Sequence, residues 1–304
     1  LALAAIGVSP GDEVITTPMT FIATANAILS CGAKPVFADI DEQTYNICPK
    51  AVESAITEKT AAILPVHLYG LPADMIALRR IADEHGIYLI GDAAQAHGSA
   101  INGEKVGSLA DIECFSFYPT KNMTTGEGGM VTTNDEKLFH MLDSIRNHGR
   151  PDSTLGQYEH IRFGLNLRIT DLGSAIGRVQ LQKLPLFNEK REQNANRYLN
   201  ELKNLQGIVL PSYPKEFHHV WHQFTIRSSN RESLSTFLKS QGIETRTYYP
   251  RLIQDYPHLE QNRSSCNVAE KVVSEVISLP VHPGLSSEEV DHIIASVKQW
   301  SLNL

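Results

Sequence analysis

Between Glu13 and about Thr133, short apolar runs alternate with stretches whose apolar residues recur at helical spacing. "EVITT" (13–17) precedes the helix-like "FIATANAILSCG", which ends at Gly32. "KPVFADI" (34–40) precedes "PKAVESAI", where Pro49 suits a first helical turn. "AAILPVHLYG" (61–70) leads into "PADMIALRRIADEHG", stopped by Gly86. "IYLIGDAAQAHG" (87–98), "IECFSFYP" (112–119) and "GGMVTTN" (128–134) supply further strands. Strands alternating with helices predict an α/β fold whose mostly parallel sheet is covered on both faces.

Beyond "NDEKLFHMLDSIRNHG" the pattern changes to a polar loop, 150 to about 159. A helical tract follows from about 170 to 205, broken only by Pro185, and reads as a connector. On that reading residues 1–184 form a large α/β domain. Residues 185–304 continue the helix into a small C-terminal α+β domain made from "GIVLP", "HVWHQFTIR", "RESLSTFLKSQG", "IETRTYYP" and a last helix. Ser286 and Glu289 stand at capping-box spacing before that helix. The opening "LALAAIGVSPGDEV" reads as the last turns of a helix already under way, which predicts a segment ahead of Leu1.

Composition narrows the partners. The chain has 304 residues, 42% hydrophobic and 20% charged, with a net charge of −7 and no basic run. Nucleic acid and anionic membrane are not expected to engage such a surface as a whole. No apolar run approaches a membrane span, and the start lacks a basic region of signal-peptide type. Cys31, Cys48, Cys114 and Cys266 are widely spaced, which fits buried thiols in a reducing cytoplasm better than a disulfide frame. "HHVWH" offers His218, His219 and His222 without carboxylates or cysteines at ligand spacing, so no metal site is expected.

In parallel α/β sheets ligands gather outside the carboxyl ends of the strands. Asp92 follows "IYLIG", His67 follows "ILPV", and Ser116 and Lys121 follow "IECF". Asp92 alone reads equally as a helix N-cap, and Lys121 alone as a solvated loop cation. Together they match the needs of pyridoxal phosphate, which takes a lysine as its covalent partner and an acid against its pyridinium nitrogen.

"TPMTFIATANAI", "GAKPVFADID", "PVHLYG", "DAAQAHG", "SFYPTKN", "GEGG", "RNHG", "GLNLRITDLGSAIG" and "SLPVHP" follow one another here in the order and spacing of the DegT/DnrJ/EryC1/StrS family. The chain resembles that family over essentially its whole length. The resemblance implies fold type I, the aspartate aminotransferase-like fold of pyridoxal-phosphate transferases. It implies a cytoplasmic, homodimeric transaminase that moves an amino group from an amino acid, glutamate on this reading, to a keto group of a nucleotide-linked deoxysugar. The product would serve surface polysaccharide or a secondary metabolite. Two other readings are a non-catalytic regulatory relative and a sugar dehydratase of the same family; the dehydratases replace the lysine by histidine.

Roles follow position by position from the resemblance. Lys121 would hold the cofactor through its amine and then act as acid–base. Asp92 would pair with the ring nitrogen and Gln95 with the ring hydroxyl. Phe21 would stack on the ring face with Thr20 beside it, although core packing is the commoner fate of a Phe. Ser116 would meet the phosphate, or simply bond the backbone as a strand-end hydroxyl. Asn166 would reach the phosphate in the neighbouring subunit. His67, Tyr69, His148 and Tyr248 are candidates for the substrate side, and each reads equally as a scaffold residue. Tyr249 accompanies Tyr248, but "YYPRLIQDYPHL" departs from the family's usual form, which has a histidine a few residues after "YP". Family members also carry, ahead of this point, a Gly-Thr pair whose helix N-terminus binds phosphate. Without it the 304-residue chain is expected to bind pyridoxal phosphate poorly or not at all.

Overall fold

A computed structural model describes residues 1–151 and 158–304. The centre of the polar loop expected over 150–159 lies outside the described residues. A short helix α1 (Ala2–Ala5) leads to strand β1 (Glu13–Thr16), helix α2 (Ala23–Ser30), strand β2 (Lys34–Phe37) and helix α3 (Pro49–Ala55). Then come β3 (Thr60–Leu64), α4 (Met75–His85) and β4 (Tyr88–Asp92). Two-residue strands β5 (Ala100–Ile101) and β6 (Glu104–Lys105) precede β7 (Ile112–Ser116), β8 (Gly129–Thr132) and α5 (Glu136–Arg146).

The main sheet has the order β2-β1-β3-β4-β7-β8. Its first five strands are parallel, and β8 closes the edge antiparallel to β7. Val14, Ile15, Ala62, Ile63, Leu89, Ile90 and Ile112 are almost wholly removed from water. Near-continuous apolar runs are what strands buried on both faces require. This is the α/β layer fold that the alternation predicts.

A long helix α6 (Asp171–Glu201) follows, and it passes through Pro185 without ending. The expected break is absent because proline removes only one helical hydrogen bond, and the Leu181 carbonyl it leaves free lies on an exposed residue. Strands β9 (Phe217–His218) and β10 (Phe224–Arg227), helices α7 (Arg231–Ser240) and α8 (Asn267–Glu275), β11 (Val276–Leu279) and α9 (Ser287–Leu302) complete the chain. The capping box at Ser286 and Glu289 forms as its spacing requires. One core gathers Tyr198, Trp221, Phe224, Leu234, Ile277 and Trp300 from the C-terminal part. A second joins Met19, Phe37, Val66 and Tyr69 of the sheet half to Leu252, Leu259, Ala269 and Val276. The C-terminal part is thus packed onto the large sheet through residues 252–276, and the apolar contacts cross the division expected at 184/185.

Candidate active site

The site is built from the carboxyl end of β4 outward. Asp92 ends that strand; its N–H donates to the Pro65 carbonyl at 2.8 Å and its carbonyl accepts from His67 N–H at 3.0 Å. The carboxylate accepts from Thr24 Oγ1 at 2.8 Å and from Ala94 N–H at 3.1 Å. Thr24 thereby spends its only hydroxyl proton on Asp92, so the 3.1 Å contact between Thr20 and Thr24 has Thr20 donating. Asp92 starts no helix, so the N-cap alternative has no counterpart here.

Gln95 is buried three residues on. Its Oε1 accepts from the Tyr69 N–H at 2.7 Å and its Nε2 donates to the Tyr249 hydroxyl at 3.1 Å, leaving one amide hydrogen unspent. Phe21, just ahead of α2, is 58% exposed, with its ring centroid 6.3 Å from that of Tyr249. It is therefore not a core residue.

Register places Cys114 beside Asp92, so Ser116 and the turn after it open beside the same strand end. Ser116 Oγ accepts from Tyr118 N–H at 3.3 Å and keeps its own proton to give. The turn is tied by Thr125 N–H and Thr124 Oγ1, both donating to the Phe117 carbonyl at 3.0 and 2.8 Å, and by Phe117 N–H donating to Gly128 at 2.8 Å. Gly128 has φ +153, and a Cβ there would lie 2.5 Å from Thr125 Oγ1. The Thr- and Gly-rich segment is thus a closed turn. Among the described residues no hydrogen bond or ion pair engages the Lys121 amine. Burial pushes its pKa down, and the negative charge of Asp92 works in the other direction.

The four substrate-side candidates are placed differently. His67 is fully buried; its Nδ1 accepts from Ala73 N–H at 3.0 Å, so Nε2 carries the proton and donates to Glu113 at 3.1 Å. Glu113 also accepts from Gly107 N–H, and Gly91 makes room for the pair, because a Cβ there would lie 2.8 Å from Glu113 Oε1. His67 therefore has no nitrogen free for a substrate. Tyr69 is buried, has φ 58, and donates its hydroxyl to the Tyr248 carbonyl. Tyr248 is edge-on to Tyr249 at 6.0 Å. His148 is held by the segment that follows it: its N–H donates to Leu165 at 3.0 Å, and its carbonyl meets His160 Nδ1 at 2.7 Å. Asn166 is exposed and bridges Asn147 in the backbone, and none of the hydrogen bonds of the Asp92 cluster reaches it.

Thr24 and Tyr249 are the residues that the sequence reading underused. Thr24 lies four residues after Thr20, a helical spacing that puts both hydroxyls on one face. Tyr249 has no such local signal; a contact across 154 positions places it on Gln95. Burial, reinforced by the charge of Asp92, pushes its phenol upward, so it stays protonated. The histidines of "HHVWH" diverge: His218 is exposed, His219 stacks on Trp221 at 3.8 Å, and His222 turns to Asn122. No group of three metal-ligating side chains converges among the described residues.

The profile of the DegT/DnrJ/EryC1/StrS aminotransferase family matches residues 1–298. A pleiotropic regulatory protein of Geobacillus stearothermophilus is 44% identical over 99% of this chain and 81% of its own length. The UDP-N-acetyl-3-dehydro-alpha-D-glucosamine 3-aminotransferase of Acidithiobacillus ferrooxidans is 42% identical over 98% and 80%. Among solved structures, S. venezuelae DesV in complex with a ketimine intermediate superposes with a TM-score of 0.93 at 38% identity, over 99% of this chain and 81% of that one.

Proposed function

The chain belongs to the DegT/DnrJ/EryC1/StrS aminotransferase family, whose enzymes depend on pyridoxal phosphate, and from that premise we propose that it transfers an amino group from glutamate to the keto carbon of a nucleotide-linked deoxysugar. The observation that carries this reading is one juxtaposition. A desolvated lysine amine, unengaged among the described residues, lies in the turn after β7, beside the end of β4 whose carboxylate Thr24 and Ala94 already orient.

These groups fit pyridoxal phosphate by their chemistry. Asp92 is an acceptor for a protonated ring nitrogen, Gln95 has one amide hydrogen to give to a ring hydroxyl, and Ser116 has a hydroxyl proton for a phosphate oxygen. Phe21 offers an exposed aromatic face. When bound, the cofactor supplies an electron-accepting ring next to the reacting carbon. The protein's own residues do the rest. Asp92 keeps positive charge on the ring nitrogen, and Thr20, acting through Thr24, keeps that carboxylate aimed. Lys121 Nζ, held toward its neutral form by burial, takes the proton from the donor's α-carbon, and in the second half-reaction gives one to the sugar carbon. Tyr249, protonated and bonded to Gln95, lines the substrate side.

The same reading makes the active form a homodimer. Ile161, Phe163, Leu165, Leu167, Ile169 and Leu172 surround Asn166 and are 44–77% exposed. A contiguous apolar patch of this kind marks an interface, and a second copy on it would carry each Asn166 toward the other's phosphate position. The name of the Geobacillus relative does not favour a regulatory role here, because Asp92, Gln95 and Lys121 are all retained. Lys121 likewise argues against the dehydratase.

The test is turnover. With pyridoxal phosphate, glutamate and a panel of UDP- and dTDP-linked keto sugars, 2-oxoglutarate should accumulate only when a keto sugar is accepted. Lys121→Ala should lower the rate by at least ~10³-fold. Activity that survives the substitution would remove Lys121 from its role.

A further inference from the structure

The residue after Lys121 is the most tightly held side chain near the site. Asn122 is 3% exposed and gives both amide hydrogens away, to Asn188 Oδ1 at 2.9 Å and to the Val220 carbonyl at 3.0 Å. That leaves Oδ1 as its acceptor, and His222 Nδ1 lies 3.1 Å from it. The orientation of Asn122 therefore fixes the tautomer of His222: Nδ1 holds the hydrogen and Nε2 the lone pair.

Each partner of Asn122 is anchored in turn. Asn188, on α6, donates to the His97 carbonyl at 2.8 Å, passing so close to Gly98 that a Cβ there would lie 2.9 Å from its amide nitrogen. Arg191, one turn on, donates to the Trp221 and His222 carbonyls at 3.1 and 3.2 Å. Val220 N–H donates to Gly70 and Gln223 N–H to Tyr69, so the segment around His222 is sewn to the loop that follows β3. Three elements close on Asn122: α6, the 220–223 segment and the turn itself. Lys121 N–H donates one backbone bond, to the Tyr118 carbonyl at 3.0 Å, and among the described residues nothing engages its amine. Its direction is thus set by the backbone on either side.

We propose that His222 is a positioning residue for Lys121, acting through Asn122: its Nδ1–H holds the turn closed so that the lysine amine stays out of water. The inference rests on the reading of Lys121 as the cofactor-bearing amine. The surrounding groups suit the task. His97 is held down to about 4, and His222 well below its ordinary value, chiefly by burial, so neither adds charge beside the amine near neutrality. Arg191 donates through one terminal nitrogen to two carbonyls, His219 lies neutral against Trp221, and among the described residues Asp92 is the carboxylate facing Lys121.

The test compares His222→Phe, which keeps the ring but cannot donate, with His222→Asn, which puts an amide N–H where Nδ1 stood. In the full chain before cofactor is added, the rate at which an acyl anhydride labels Lys121 is followed by mass spectrometry at pH 8. His222→Phe should slow it about tenfold, as the loosened amine hydrates and its pKa rises by about one unit. His222→Asn should restore most of the rate. In the loaded enzyme kcat should fall about tenfold with the glutamate KM within about twofold. Wild-type labelling in a folded His222→Phe, or an Asn variant no better than the Phe variant, overturns the proposal. If His222→Phe does not fold, Asn188→Ala removes the α6 side of the clamp alone, and the same labelling result supports or overturns. The parent reading fails separately, through activity that survives Lys121→Ala.

Discussion

At the end of β4, polar atoms find partners within the chain: Asp92 is met by Thr24 and Ala94, Gln95 by Tyr69 and Tyr249, His67 by Ala73 and Glu113. Some forty residues after Lys121 the chain does the opposite. Phe163 is 77% and Leu172 74% exposed, and Ile176 and Val179, four and seven residues on along α6, continue the apolar face. The first region is preorganised by its own sequence, so its geometry needs no partner. The second exposes side chains that cost free energy in water, at about 25 cal/mol for each Å² left uncovered. On the proposed reading, the first region carries the catalytic residues of one chain, and the second is where a partner subunit would bring its Asn166 to the phosphate.

The sharpest way to break the first half is Asp92→Asn. The amide keeps the shape and one acceptor but loses the charge, and removing one member of a buried charged pair costs about 3–5 kcal/mol. A kcat lower by about 10²–10³-fold, with the fold intact by circular dichroism, is the expected outcome. A loss under tenfold would show that the carboxylate does not face a charged ring nitrogen.

The second half is broken by Phe163→Glu together with Leu172→Glu. Two carboxylates on the exposed apolar face should move the protein from dimer to monomer in sedimentation at micromolar concentration, and turnover should fall with the dimer fraction. The Asp92 cluster should be untouched, because none of its hydrogen bonds involves residues 161–181. A monomeric wild type, or a dimeric variant, would end the account of Asn166 as a residue that works across subunits.

The same contrast explains what could be read in the sequence. Strand ends were legible: apolar runs stop at Asp92 and Ser116, and in a parallel sheet those ends share one edge. Alternation with helices was enough to fix the sheet's character, and "SSEEV" its last helix start. What escaped were contacts whose two members are far apart in the chain. His67 reads as a pocket residue until Glu113, 46 positions away, claims its free nitrogen. The clue was present in "IECF", where a carboxylate inside an apolar strand has to find a buried partner. Tyr249 and the clamp on Asn122 had no such clue, since they depend on how residues 217–250 pack on the sheet. Pro185 misled because a proline's local cost was read without the long helix around it.

The smallest effect, and the one that separates the two regions by titration, is on the acid side. His97 lies between Phe115 and Phe117 with neither ring nitrogen hydrogen-bonded; the Ser116 backbone is near enough only to oppose the shift. Burial is the main cause that lowers its pKa to about 4, and that of His219 to about 3. The folded values lie below the unfolded value near 6.5, so between pH 6.5 and about 4 the unfolded chain binds more protons. The histidines' contribution to stability is therefore complete above pH 6.5 and falls as the pH drops through that window, by up to about 1.4 kcal/mol per pH unit for each of them. Lys121 acts with the same sign in an alkaline window: its lowered pKa makes stability rise with pH up to its ordinary value of 10.5. His97→Phe removes one group from the acid window and fills the aromatic sandwich with a ring that needs no partners. Urea midpoints at pH 7, 6 and 5 should decline less steeply in this variant than in the wild type. Parallel declines would mean that the charge taken up below pH 6.5 enters elsewhere, and that His97 is not the buried neutral imidazole its surroundings require.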